Sequence, residues 1–78
     1  MQLKVTTVSE ILSFSEICSK YCDDIDAVSG RYCINAKSFM GMLALDYSKP
    51  IKIVIHREKS TTEDYNKILI ELKSYLSE

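Results

Sequence analysis

The 78-residue sequence has no tryptophan, one histidine, one proline and only two glycines. It therefore lacks the Gly/Ser-rich stretches, repeats and low-complexity tracts that separate domains. A second domain would also need about 50 further residues, so we expect a single domain over residues 1–78. The hydrophobic share of 46% and the charged share of 27% are typical of a globular chain rather than a disordered one.

The chain also lacks an excess of charge of either sign and any long apolar run. Its net charge of −1 argues against a nucleic-acid-binding surface. The longest apolar run covers residues 39–45, whereas a membrane span needs about 20 residues, and the polar N-terminal alternation does not predict a secretory signal. Three cysteines, Cys18, Cys22 and Cys33, cannot all pair within one chain. We therefore expect free thiols in the cytoplasm.

The spacing of apolar residues predicts seven elements in the order β-α-β-β-α-β-α. The predicted strands cover residues 2–7, 25–28, 32–35 and 51–55, with a tight turn at Ser29-Gly30. The first predicted helix begins at Ser9 or Ser13 and ends by Cys22. The second covers residues 39–45 and is capped by Ser38. The third runs from about Ser60 to Leu76. Burial of one apolar face per element favours an α+β fold in which a four-stranded antiparallel sheet carries all three helices on one side.

The residue pattern indicates no metal or cofactor site. Cys18 and Cys22 lie four positions apart without the further ligands that zinc requires, so we interpret them as small buried hydrophobic residues. His56 has no partner suggested by spacing and is expected to be an exposed surface residue. The acidic residues between positions 23 and 26 lack the spacing of a calcium loop and are expected to be solvated.

Ser38 and the residues after it leave two alternatives open. The Ser38 hydroxyl either caps a helix and does nothing more, or is also a modification site at which phosphate would lie beside a helix N-terminus. The next helix contains Phe39, Met40, Met42 and Leu43 but is barely two turns long. These side chains either belong to the core or form an exposed protein-docking patch.

Residues 34–45, Ile-Asn-Ala-Lys-Ser-Phe-Met-Gly-Met-Leu-Ala-Leu, resemble the stretch around the regulatory serine of the HPr family. These proteins are the small phosphocarriers of the bacterial sugar phosphotransferase system. Their motif reads hydrophobic-Asn-x-Lys-Ser-hydrophobic-Met-Gly-x-hydrophobic-x-Leu. The likeness extends from about Tyr21 into the C-terminal helix, and it implies the open-faced β-sandwich of that family, with its β-α-β-β-α-β-α order.

The resemblance ends before the first helix. The family carries its phospho-accepting histidine there, followed by Ala-Arg-Pro, whereas residues 7–15 of this chain hold no His, Arg or Pro. No residue matches the catalytic histidine, so the resemblance implies a non-catalytic relative rather than an enzyme. The chain is somewhat similar to the Crh branch of the family, which lacks the histidine and keeps the serine.

The regulatory half of the motif implies a protein-binding role. Ser38 matches the serine that HPr kinase/phosphorylase modifies, and Lys37, Phe39, Met40 and Leu43 are the candidate protein-binding residues. The partners implied are that kinase, Enzyme I or a CcpA-like regulator. Two alternatives are a phosphocarrier with a non-standard acceptor such as His56, and a relative that keeps only the fold. Compared with the HPr family, the connection from Val5 to the first helix is short, and such shortening can favour strand exchange. The chain is therefore expected to be a monomer or a domain-swapped dimer.

Overall fold

Short segments with alternating apolar residues form the strands, and segments with apolar residues on one helical stripe form the helices. The computed structural model describes residues 1–77. The strands are β1 (Gln2–Leu3), β2 (Ile25–Ser29), β3 (Tyr32–Asn35), β4 (Lys52–Ile55) and β5 (Leu76–Ser77). The helices are α1 (Val8–Ser19), α2 (Phe39–Leu43) and α3 (Thr62–Leu72), and a 3₁₀ turn, Lys73–Tyr75, follows α3.

The strands form one antiparallel sheet in the order β3-β2-β4-β1-β5. Its centre is the β2–β4 pair, in which Ile25 lies opposite Ile55 and Ala27 opposite Ile53. Along β2, residues 25, 27 and 29 are buried and the two between them are partly exposed. One face of the sheet therefore supplies the core beneath the helices, and the predicted α+β open-faced sandwich is confirmed.

The prediction of four strands was wrong, because β5 is a fifth. The last helix ends at Leu72 rather than Leu76, and Leu76 instead lies opposite Leu3 in the β1–β5 pair. A leucine four positions after Leu72 fits a continued helical stripe equally well, so spacing alone could not reveal the change. β1 is also shorter than predicted, since Thr7 already belongs to the start of α1.

The start of α1 corrects the sequence prediction of a cap at Ser9 or Ser13. The N-cap is Thr7, whose hydroxyl accepts a hydrogen bond from the Glu10 backbone N–H at 3.1 Å. The Glu10 carboxylate in turn accepts from the Thr7 backbone N–H at 3.2 Å, which completes a capping box. The helix ends at Ser19, about three residues earlier than predicted.

The hairpin between β2 and β3 forms as the sequence predicts. Ser29 lies opposite Tyr32, and Gly30 adopts a φ of 58°. This left-handed conformation favours glycine, because a Cβ would strain the backbone there. The two strands reach from the tight turn to the connection that leads into α2.

The core lies between the sheet and the helices. Phe14 on α1 is fully buried and meets Tyr75 edge-on, with the ring centroids 6.0 Å apart. The largest other fully buried hydrophobic side chains are Ile25, Met42, Ile51, Ile53, Leu72 and Cys18. Within residues 1–77 no helix has the length and apolar character needed to cross a bilayer.

Candidate functional site on helix α2

Ser38 lies at the N-cap of α2, as the sequence predicts, and its side chain is exposed. Its hydroxyl accepts a hydrogen bond from the Gly41 backbone N–H at 3.2 Å. The Ser38 backbone N–H donates to the Asn35 carbonyl at 2.9 Å, while the Asn35 side-chain oxygen accepts from the Lys37 backbone N–H at 2.9 Å. This tight turn between β3 and α2 holds the serine hydroxyl at the surface.

Two hydrogen bonds, one to α1 and one to the segment just after it, hold the same turn in place. The fully buried Ser15 hydroxyl donates to the Ala36 carbonyl at 2.7 Å. The Lys37 ammonium donates to the Tyr21 carbonyl at 2.8 Å, just beyond the end of α1, where a cation is favoured by the helix dipole. The Lys37 side chain is therefore half-buried and bonded to its own chain, whereas the sequence placed it among the protein-binding residues.

The two open alternatives for the apolar residues of α2 both apply, to different side chains. Met42 is fully buried in the core. Phe39 is 47% exposed, Met40 80% and Leu43 42%. These three, together with Ser38, form what we call the α2 surface. The structure thus brings together four of the five predicted site residues in an exposed apolar patch beside a hydroxyl.

Gly41 sets the distance between α2 and the sheet. A Cβ at this position would lie 2.5 Å from Cγ2 of Ile34 on β3, a separation that no unstrained structure allows. The Tyr47 hydroxyl also donates to the Met42 carbonyl near the end of the helix. The glycine therefore lets α2 pack close to β3, which orients its opposite side toward solvent.

Comparisons with known proteins support the fold alone. No family model matches the sequence, and no curated protein matches it. Among solved structures, the chain is similar to Crh, the Bacillus subtilis catabolite repression containing protein, described as an intertwined dimer with a swapped domain. The TM-score is 0.63 over 100% of this chain and 90% of that chain, at 15% sequence identity. The fold is HPr-like.

His56, the candidate alternative acceptor, lies just after β4 and has a partner that spacing did not suggest. Its Nε2 lies 2.7 Å from Oδ2 of Asp26, thirty positions earlier, and the side chains are 42% and 28% exposed. The hydrogen bond to Asp26 raises the imidazole pKa most, although burial opposes it, and the charges of Asp26, Asp24 and Glu58 raise it further. The carboxylates of Asp26, Asp24 and Glu58 near the imidazole would also repel a phosphoryl donor. The geometry argues against phosphotransfer through His56.

Asp23 is a structural anion rather than the solvated loop charge that the sequence suggested. It is 5% exposed, and its carboxylate accepts hydrogen bonds from the backbone N–H groups of Glu58, Lys59 and Ser60 at 2.7 to 2.9 Å. Burial would raise the pKa of the carboxyl, but these donors lower it to about 2. Asp23 therefore fixes the loop between β4 and α3.

The cysteines differ in their surroundings. Cys18 is buried as expected, and burial raises the pKa of its thiol to about 12. Cys22 is exposed, contrary to the prediction, because α1 ends before it. Cys33 is exposed on β3. Across the described residues 1–77, no cluster of three or more His, Cys, Asp or Glu side chains is placed to hold a metal ion.

Proposed function

We propose that the protein is a non-catalytic regulatory relative of HPr that binds partner proteins through the α2 surface, with phosphorylation of Ser38 as the switch. The observation that carries the proposal is the exposed Ser38 hydroxyl next to exposed Phe39 and Met40 on an HPr-like fold. By resemblance, its partners would be HPr kinase/phosphorylase, Enzyme I or a CcpA-like regulator in the cytoplasm.

The switch would act through charge. A phosphate on Ser38 adds close to two negative charges at neutral pH. These charges would stand beside apolar side chains that are suited to a hydrophobic partner surface. The Lys37 ammonium, which is bonded to the Tyr21 carbonyl, is not free to neutralise them. Phosphorylation would therefore weaken apolar docking and favour a partner that offers arginine or lysine.

The non-catalytic part of the proposal rests on the residues at the start of α1. The region that holds the acceptor histidine in the HPr family contains here the capping box of Thr7 and Glu10. A carboxylate at this position satisfies the helix terminus and repels a phosphoryl group. Phosphate relay from phosphoenolpyruvate through this helix end is therefore not part of the proposed function.

The decisive experiment is incubation with an HPr kinase and ATP, followed by intact-mass measurement. We expect one phosphate adduct, absent from Ser38→Ala and retained in the matched variant Ser9→Ala, whose serine is also exposed. An adduct that survives Ser38→Ala, or none in the unaltered protein, would contradict the switch. A parallel incubation with phosphoenolpyruvate and Enzyme I tests the carrier alternative, which predicts an acid-labile label that His56→Gln abolishes.

Partner capture separates the regulatory proposal from the alternative in which only the fold persists. Met40→Ser should reduce the capture of a CcpA-like regulator or of Enzyme I, whereas Ile70→Ser on α3 should not, although Ile70 is 74% exposed. Equal capture by both variants would favour the fold-only alternative. Sedimentation velocity in the same samples distinguishes a monomer from the swapped dimer that the likeness to Crh suggests.

A further inference from the structure

The helix layer leaves the hairpin end of the sheet uncovered. Tyr32 and Ile34 on β3 lie opposite Ser29 and Ala27, so their side chains share the face that carries the core. Ala27 is completely buried there, yet Tyr32 is 71% exposed. At Tyr32 the inner face of the sheet thus has no helix over it, whereas Ile34 packs against Gly41 of α2.

An open groove of about 790 Å³ occupies that place, between the hairpin, the far side of α2 and the turn that follows α2. Its apolar lining includes Tyr32, Ile34, Ala44, Leu45 and Pro50. The volume lies within the range of about 300–1,000 Å³ that is typical of small-molecule sites. The groove is distinct from the α2 surface, because none of the four residues of that surface lines it.

Two cations and one carboxylate line the groove. Arg31 and Lys49 are exposed, and in residues 1–77 neither forms an ion pair with a carboxylate. The carboxylate is that of Asp46, whose Oδ1 already accepts hydrogen bonds from the Ser48 backbone N–H at 3.0 Å and from its hydroxyl at 2.6 Å. In a chain whose net charge is −1, this is a local positive excess against an apolar wall.

We infer that the groove binds a small amphipathic anion, an apolar chain or ring that carries one carboxylate. The apolar part would cover the exposed Tyr32 and the part of Ile34 that α2 leaves open, and the carboxylate would lie toward Arg31 and Lys49. This binding site does not include Ser38, so the inference does not depend on the proposed regulatory function.

Octanoate tests the inference, with octylammonium and octanol as probes of matched chain length. We expect saturable shifts of the backbone amide resonances of residues 29–34 and 44–50 in nuclear magnetic resonance spectra. Octanoate should bind more tightly than octanol, and octylammonium should bind most weakly. Absence of these shifts, shifts confined to residues 38–43, or equal binding of octylammonium would overturn the inference.

Two variants separate the charge from the apolar wall. Arg31→Gln with Lys49→Gln should weaken octanoate binding roughly three- to tenfold and leave octanol binding unchanged. The matched pair Lys52→Gln and Lys73→Gln, with the same net charge and outside the groove, should change neither. Tyr32→Ser should weaken the binding of both octanoate and octanol. Because Tyr32 is exposed, this substitution should not unfold the protein, so weaker binding would reflect the lost contact.

A dilution series without ligand tests a second copy of the chain as the occupant. If the groove resonances shift with protein concentration and sedimentation shows a dimer, a second copy fills the groove and the inference is wrong. Concentration-independent spectra, together with saturable octanoate shifts, support it. The outcome of kinase treatment at Ser38 has no bearing on either result.

Discussion

The hydroxyl of Ser15 on α1 donates a 2.7 Å hydrogen bond to the carbonyl of Ala36, two residues before Ser38. Both residues are fully buried. The bond links the first helix directly to the turn that presents the candidate phosphorylation site. Ser15, a polar residue on an otherwise apolar face of α1, therefore helps to position the Ser38 hydroxyl without contacting it.

Ser15→Ala should lower the free energy of unfolding by about 1–3 kcal/mol, because it leaves the buried Ala36 carbonyl without a donor. Urea denaturation measures the effect. Ser9→Ala on the same helix is the control, since Ser9 is exposed, and should change stability by less than about 0.5 kcal/mol. Equal effects of the two substitutions would show that the buried bond does not stabilise the fold.

Gly41→Ala should destabilise the protein by about 1–3 kcal/mol, because the added Cβ would meet Cγ2 of Ile34, a branched and stiff side chain. The test is a double-mutant cycle with Ile34→Ala. In that background the contact is removed, and Gly41→Ala should become neutral or stabilising, since alanine favours a helix over glycine by up to about 1 kcal/mol. An equal cost in both backgrounds would contradict the close packing.

Asp23→Asn should reduce stability at neutral pH and lose its effect in acid. The folded pKa of about 2 lies below the ordinary value of 3.8, so the carboxylate contributes stability above pH 3.8 that is lost as the pH falls through about 2. Urea denaturation at a series of pH values measures this difference. Asp24→Asn, at an exposed neighbour, should not reproduce the pH-dependent loss.

His56 should make the protein less stable as the solution becomes alkaline. Its folded pKa is raised above 6.5, chiefly by the hydrogen bond to Asp26. The ion pair therefore contributes stability that is fully present below pH 6.5 and is lost as the pH rises through the folded pKa. Imidazole resonances should titrate above 6.5, and Asp26→Asn should return them toward that value, whereas Asp46→Asn should not. An unchanged titration in Asp26→Asn would refute the pairing.

Local rules explain what the sequence predicted correctly. The Ser29-Gly30 hairpin, the Ser38 cap and the order of the first seven elements each depend on neighbouring residues alone. The exposed α2 surface was only half predictable. The five-residue helix buries Met42 and exposes Met40. Which side of the helix faces the core depends on the close packing of Gly41 against the sheet.

The features that sequence reasoning missed depend on contacts between distant residues. Asp23 binds a loop that begins 35 positions later, and Asp26 meets His56 only because β2 pairs with β4. Two weak signals were present in the sequence. Thr7 and Glu10 have capping-box spacing at the true start of α1, and Ser15 interrupts the apolar helical stripe, as a buried hydrogen-bonding residue would.

The pairing of β1 with β5 has a consequence for the order of folding. Gln2 lies opposite Ser77, so this contact closes nearly the whole chain into one loop and secures only two residues on each strand. The entropy lost in closing this loop exceeds the stabilisation from so few contacts until the remaining strands and helices have assembled. We therefore expect β1 and β5 to pair last and to separate first. Their amide protons should exchange with solvent through brief local openings while the β2–β4 centre stays closed.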